Sequence, residues 1–128
     1  MSTLPREYEL VLLGATGYTG KYCAEHIVTR LPTDLKWAVA GRSSSKLSNL
    51  LDEIKTLNPD RLHPGIEVAS LATEDLDSLA RKTQVLINTV GPYYRYGTPV
   101  VEACAKNGTH YLDVYVFDPW LQTGVLTG

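Results

Sequence analysis

Cysteine, net charge and long apolar runs are all scarce in this sequence, and each scarcity removes a class of protein. Cys23 and Cys104 stand alone, with no Cys-x-x-Cys pair, so neither a disulfide framework nor a dithiol motif is available. They read as two small buried thiols. The 12 basic residues fall short of the 14 acidic ones, for a net charge of −2. That excludes nucleic-acid binding by phosphate neutralisation, which needs a basic surplus. No apolar stretch approaches the roughly 18 residues of a membrane span. Arg6, Glu7 and Glu9 precede the first apolar run and spoil a signal-peptide pattern. The chain therefore reads as soluble and cytoplasmic.

Several catalytic signatures are missing as well. There is no Tyr-x-x-x-Lys pair, no Gly-x-Ser-x-Gly elbow and no phosphate-binding Walker loop. His26, His63 and His110 form no His-Glu-x-x-His set, so no metal site is expected. His26 reads as an exposed helix residue and His110 as a strand-edge residue. Repeats and low-complexity linkers are absent too.

What the sequence does contain is one domain's worth of chain. Its 128 residues are 44% hydrophobic and 20% charged, too apolar for disorder and enough for a single core. Tyr8–Leu13 is an apolar run ending at Gly14, as a buried strand would. Gly20, Cys23, Ala24, Ile27, Val28 and Leu31 then recur at helical spacing, and Pro32 stops them. Leu35–Ala40 reads as a second strand. Ser43, Ser44 and Ser45 offer caps for a helix with Leu47, Leu50, Leu51 and Ile54 on one face, closed by Asn58-Pro59.

Ile66–Ala69 reads as a short third strand. Thr73, Glu74 and Asp75 open a helix whose inner face is Leu76, Leu79 and Ala80. Gln84–Val90 is a fourth strand bounded by Gly91-Pro92. Thr98 and Pro99 predict the start of another helix, with Val100, Val101 and Cys104 inward and Gly108 at its end. Tyr111–Val114 makes the fifth strand. Strands alternating with helices predict an α/β fold: a Rossmann-like, doubly wound parallel sheet in the order 3-2-1-4-5, in three αβα layers.

The sharpest motif joins the first strand to the first helix: Gly14-Ala15-Thr16-Gly17-Tyr18-Thr19-Gly20. Gly14 would let the chain leave the strand in a tight turn. Gly17 would remove a side chain where a diphosphate approaches the backbone, and Gly20 would let the helix pack closely. First-turn amides and the helix dipole suit an anion, so the turn predicts a dinucleotide site.

The end of the second strand bears on which dinucleotide. A carboxylate there would favour NAD. Here Arg42 follows Gly41, with Ser43, Ser44, Ser45 and Lys46 behind it. A guanidinium meets a 2′-phosphate bidentately, nearby hydroxyls such as that of Ser43 can donate to it and Lys46 adds charge, so NADP(H) is preferred over NAD. The competing reading leaves Arg42 in solvent and the serines as helix caps. Asn88, Thr89, Val90, Gly91 and Pro92 fall at the carboxyl end of the fourth strand, where such sheets bind ligands, and would border the nicotinamide half. Tyr93, Tyr94 and Tyr96 fit a pocket wall and a domain interface equally well.

Taken together, Val-Leu-Leu-Gly-Ala-Thr-Gly-Tyr-Thr-Gly (11–20), Ala-Gly-Arg (40–42) and Ile-Asn-Thr-Val-Gly-Pro-Tyr (87–93) resemble one family. Tyr-Gly-Thr-Pro-Val-Val-Glu-Ala-Cys (96–104) and Gly-Thr-His-Tyr-Leu-Asp (108–113) continue the likeness. The sequence resembles the NADP-binding domain of saccharopine dehydrogenase-like oxidoreductases, particularly the branch of trans-acting enoyl reductases, over residues 7–114. The resemblance implies hydride transfer with NADP(H), as in enoyl reduction of a lipid or polyketide-type substrate. It also implies that Gly14, Thr16, Gly17, Tyr18, Thr19 and Gly20 line the diphosphate and that Arg42 meets the 2′-phosphate.

Family members continue after Tyr-Leu-Asp with a Thr-Gly-Glu-like segment and a long catalytic domain. This sequence reads Val-Tyr-Val-Phe-Asp-Pro-Trp (114–120) instead. Residues 1–114 are thus expected to be the dinucleotide-binding domain and 115–128 a divergent tail, with no substrate domain. Two functions stay open: a truncated oxidoreductase domain, or a non-catalytic dinucleotide-binding module. Also open are a second copy or a partner over the apolar tail, and membrane or lipid-droplet association of full-length relatives.

Overall fold

Val11 and Leu12 are wholly buried and Leu13 nearly so, because their strand lies in the middle of the sheet. The computed structural model describes residues 6–90 and 93–113, and for 93–97 the backbone only. The elements run β1 (Tyr8–Leu13), α1 (Tyr18–Arg30), β2 (Trp37–Gly41), α2 (Ser44–Lys55) and β3 (Gly65–Val68). They continue with α3 (Thr73–Lys82), β4 (Thr83–Asn88), α4 (Tyr93–Asn107) and β5 (His110–Asp113). The parallel sheet has the order β3-β2-β1-β4-β5, as the alternating pattern predicts. Leu12 pairs with Val39 on one side and Ile87 on the other. Strand order therefore reverses between β1 and β4, the switch point at which open α/β sheets bind ligands.

Alternate residues of each strand feed opposite faces. Leu10, Leu12, Trp37 and Val39 pack against Ala24, Ile27 and Val28 of α1 and Leu47, Leu50 and Ile54 of α2. Val11, Leu13, Ala38, Ala40 and Leu86 pack against Leu76, Leu79 and Ala80 of α3 and Val100, Ala103 and Cys104 of α4. Each large side chain buried this way contributes about 1.5–3 kcal/mol. Among the described residues no helix is long and apolar enough to cross a membrane.

Two arginines tie the elements together. Arg6 Nη1 donates to the Ala80 and Thr83 carbonyls at 2.8 Å and to Thr109 Oγ1 at 2.6 Å, and Nη2 donates to the Asn107 carbonyl at 2.7 Å. Arg61 is buried under the end of α1. Its Nε donates to the Val28 carbonyl at 3.2 Å and its Nη2 to the Leu31 carbonyl, complementing the helix dipole. Burial pulls the Arg61 pKa down from its ordinary value. Gly108 ends α4 at φ +67°, and the Thr109 amide donates to the Cys104 carbonyl at 2.9 Å, which closes the helix with a left-handed residue.

The structure corrects several expectations. α4 begins at Tyr93, not at Thr98-Pro99, and Pro99 lies inside the helix. Val101 is 43% exposed rather than inward, since the stripe of α4 facing the sheet carries Val100, Ala103 and Cys104. Cys23 is only partly buried, while Cys104 is buried as expected. β2 starts at Trp37, two residues after the expected Leu35, because Leu35 belongs to the turn that bonds back to Pro32. Val114 and the tail 115–128 lie outside the described residues.

Candidate dinucleotide site

The glycine turn is built from the backbone outward. Gly14 has φ +82°, the left-handed region that glycine adopts without strain. A Cβ there would also lie 2.8 Å from both Thr89 Oγ1 and Val90 Cγ2, so the β4 loop closes directly over it. Gly20 is equally constrained. Its Cβ would stand 2.1 Å from the Gly14 carbonyl oxygen, so α1 packs on the turn itself.

Gly17 differs from both. Its Cβ would meet only the Gly14 carbonyl oxygen, at an ordinary 3.5 Å, so nothing inside the protein requires glycine there. Gly17 is the N-cap of α1, and no side chain caps that helix. The first-turn amides, which no helix can satisfy internally, thus face outward beside a position without a side chain. An anion of diphosphate size fits such a cradle.

Gly14, Thr16 and Gly17 form one wall of a cleft of about 410 Å³. Gly41 and Arg42 from the end of β2, Thr89 and Val90 from the end of β4, and Leu13, Ala69 and Leu71 complete it. Arg42 is exposed, and among the described residues lining the cleft it is the one ionisable side chain. Among the described residues lining the cleft there is no carboxylate.

The other predicted residues are dispersed. The Ser43 hydroxyl caps α2, accepting from the Lys46 amide at 3.3 Å and lying 3.2 Å from Ser45 Oγ. Lys46 opens onto a neighbouring groove with Thr16, Lys21, Asn49, Leu50 and Glu53, where Lys21 is ion-paired to Glu53 at 2.8 Å. Thr16 borders both hollows. Tyr18 is 81% exposed and packs edge-to-face on Tyr22 with centroids 5.1 Å apart, away from the cleft lining. Thr19 is half-buried in the first turn of α1.

At the β4 end, Asn88 is fully buried and its Oδ1 accepts from the Val90 amide at 2.9 Å. Thr89 donates to the Leu13 carbonyl twice, from its amide at 2.9 Å and its hydroxyl at 2.6 Å. Gly91 and Pro92, and the side chains of Tyr93, Tyr94 and Tyr96, lie outside the described residues.

Sequence reasoning missed Ala69 and Leu71, the apolar wall after β3. The Asp75 carboxylate holds this loop by accepting from the Ser70 amide and hydroxyl at 2.9 Å, bonds that lower its pKa. The signal was the end of the third strand, which the 3-2-1-4-5 order brings alongside the β2 turn.

A family model described as the saccharopine dehydrogenase NADP binding domain matches residues 10–127. The chain belongs to that family. The match runs on through most of the segment 115–128 that the sequence sets apart as a tail. A trans-acting enoyl reductase from Mycobacterium ulcerans is 41% identical over 114 residues, covering 89% of this chain and 27% of that protein. The saccharopine dehydrogenase-like oxidoreductase of Rattus norvegicus is 36% identical over 126 residues, covering 89% of this chain and 29% of the relative. Among solved structures, apo saccharopine dehydrogenase (L-Glu forming) from Saccharomyces cerevisiae superposes with a TM-score of 0.65. At 17% identity, over 91% of this chain and 23% of that one, it shows the shared fold. This NADP-binding domain spans little more than a quarter of the length of the curated relatives it matches.

Proposed function

We propose that residues 1–114 hold NADP(H) across the switch point. The diphosphate lies on Gly14–Gly20, the 2′-phosphate against Arg42, and the nicotinamide half beside Thr89 and Val90, with Gly91 and Pro92 following. The single observation that carries this is the Gly17 position. It is an N-cap with no internal need for glycine, opening onto a cleft of about 410 Å³ whose ionisable side chain among the described residues is a cation. Ser43 serves the site indirectly, by fixing the α2 start behind Arg42. Lys46 adds positive charge from the adjoining groove.

When bound, the nicotinamide supplies hydride chemistry. The chain orients the cofactor through backbone amides and walls it from water with Leu13, Leu71 and Val90. The 41% identity to a trans-acting enoyl reductase supports enoyl reduction of a small or lipid-linked substrate as the activity of a longer protein carrying this domain. A reducing compartment suits the two free thiols.

A second reading, a cofactor-binding module without turnover, is favoured by the cleft's composition. Among its described lining residues no side chain can donate a proton at neutral pH. Fluorescence titration with NADPH and NADH, followed by turnover on candidate enones, separates the two. NADPH binding with turnover supports the reductase, NADPH binding without it the module. A chain that binds neither dinucleotide overturns both.

A further inference from the structure

Lys46, Asn49, Leu50 and Glu53 recur at spacings of three and four residues, so α2 presents them along one side. That side faces the first turn of α1, where Lys21 Nζ meets Glu53 Oε2 at 2.8 Å. Thr16 closes the hollow between the two helices, a groove of about 220 Å³ that adjoins the dinucleotide cleft. Leu50 is its buried floor. The other lining side chains are polar or charged, and all of them are exposed.

These side chains are unevenly engaged. The bond to Glu53 raises the Lys21 pKa, so that lysine keeps its charge at neutral pH. By contrast, no hydrogen bond or ion pair engages the Thr16 hydroxyl, the Lys46 ammonium or the Asn49 carboxamide among the described residues. Two lysines against one glutamate leave the groove a single net positive charge. An anion reaching it from the cleft meets a hydroxyl, an ammonium and an amide NH₂ whose donors are uncommitted. A phosphate monoester suits that set. It carries roughly 1.5 to 2 negative charges at neutral pH, more than the Arg42 guanidinium alone neutralises.

We propose that this groove forms the second side of the 2′-phosphate seat, with Asn49 as a direct donor beside Lys46 and Glu53 as the counter-charge that limits the preference for NADP(H). The inference rests on the dinucleotide reading above, in which Arg42 meets that phosphate from the cleft. Lys46 acts across Thr16, from the groove, and Asn49 stands one turn further along the same side of α2. While Glu53 holds Lys21, that ammonium is neutralised internally. The NADH ribose carries no phosphate, so none of these groups bears on it.

The test titrates NADPH and NADH into Asn49→Ala, Glu53→Gln and the double variant Lys21→Gln/Glu53→Gln, all changes at exposed positions. Asn49→Ala should raise the NADPH Kd about tenfold, the low end for a hydrogen bond to a charged group, and move the NADH Kd less than about twofold. Glu53→Gln should lower the NADPH Kd about two- to threefold, the size of an attraction across a water-exposed groove, and the gain should vanish at high salt. The double variant restores the single net charge and should return the NADPH Kd to its starting value.

Equal weakening of both dinucleotides by Asn49→Ala would overturn the proposal, as would an unchanged NADPH Kd. So would a Glu53→Gln protein that binds NADPH no more tightly, or a gain that survives the loss of Lys21. Should the unmodified protein bind neither dinucleotide, the reading above falls instead. Calorimetry with 2′,5′-ADP against 5′-AMP then still decides the groove. A preference for 2′,5′-ADP that Asn49→Ala abolishes supports it, and no such preference in the unmodified protein overturns it.

Discussion

Gly20 and Gly14 are in backbone contact: a Cβ on Gly20 would come within 2.1 Å of the Gly14 carbonyl oxygen, closer than any non-bonded pair tolerates. Gly20→Ala must therefore push α1 off the turn. We expect a loss of about 3 kcal/mol or more in denaturant unfolding, at the upper end for an added methyl group. Gly17→Val should behave differently, because its backbone is extended and its nearest neighbour is at 3.5 Å. That variant should keep its unfolding midpoint and lose both NADPH and NADH. A Gly17→Val protein that binds them normally would remove the diphosphate assignment.

Arg42 offers a cleaner separation of folding from binding. It is exposed and lines the cleft, and no hydrogen bond or ion pair engages its side chain among the described residues. Arg42→Asp should leave stability within about 0.5 kcal/mol. NADPH affinity should fall at least about tenfold more than NADH affinity, since a carboxylate repels the 2′-phosphate. Parallel losses for the two cofactors would mean that Arg42 does not read that phosphate.

The Arg6 guanidinium joins the ends of α3 and α4 to the start of β4 through four donations. Arg6→Ala takes a donor from the Thr83 and Asn107 carbonyls at a part-buried junction, while the Ala80 carbonyl keeps the Thr83 amide and the Thr109 hydroxyl. A destabilisation of about 2–4 kcal/mol follows. Arg6→Lys should recover little of it, because a point ammonium cannot span the fork. Full recovery by lysine, measured by chemical denaturation, would show that charge alone matters here.

Burial in the α4 core pushes the Cys104 thiol up to about 11, from an ordinary value near 9. The unfolded chain releases this proton first. Between pH 9 and 11 it therefore binds fewer protons than the folded chain, and stability falls as pH rises through that window. The loss approaches about 2–3 kcal/mol at its upper end and is absent below pH 9. Unfolding of Cys104→Ala across this range should lack the added slope, on top of a pH-independent packing loss. Iodoacetamide at pH 8 should reach Cys104 only after denaturation.

Patterns within about ten residues were legible in the sequence. The run Tyr8–Leu13 is the observed β1, and the glycine spacing located the turn in which Gly14 takes a left-handed φ and α1 packs closely at Gly20. The strand order followed from alternation and crossover handedness. The start of α4 was misread because Pro99 obeys the rule for a first helical position, and the rule cannot see that the helix has already begun at Tyr93. Ser43 and Lys46 looked like phosphate ligands by proximity to Arg42. Along the first turn of α2 they point to a cap and a separate groove. Arg6 was beyond reach for another reason: its partners lie 74 to 103 positions along the chain, and only the folded sheet brings them together.

The contact of Gly14 with Thr89 and Val90 bears on how such a domain can change over time. Enlarging Gly14 would need a new backbone conformation and two smaller neighbours at once, so no single-step path leads away from this turn. Arg42 has no such ties among the described residues. The glycine turn is therefore historically entrenched, while the side chain at position 42 stays one codon from revision.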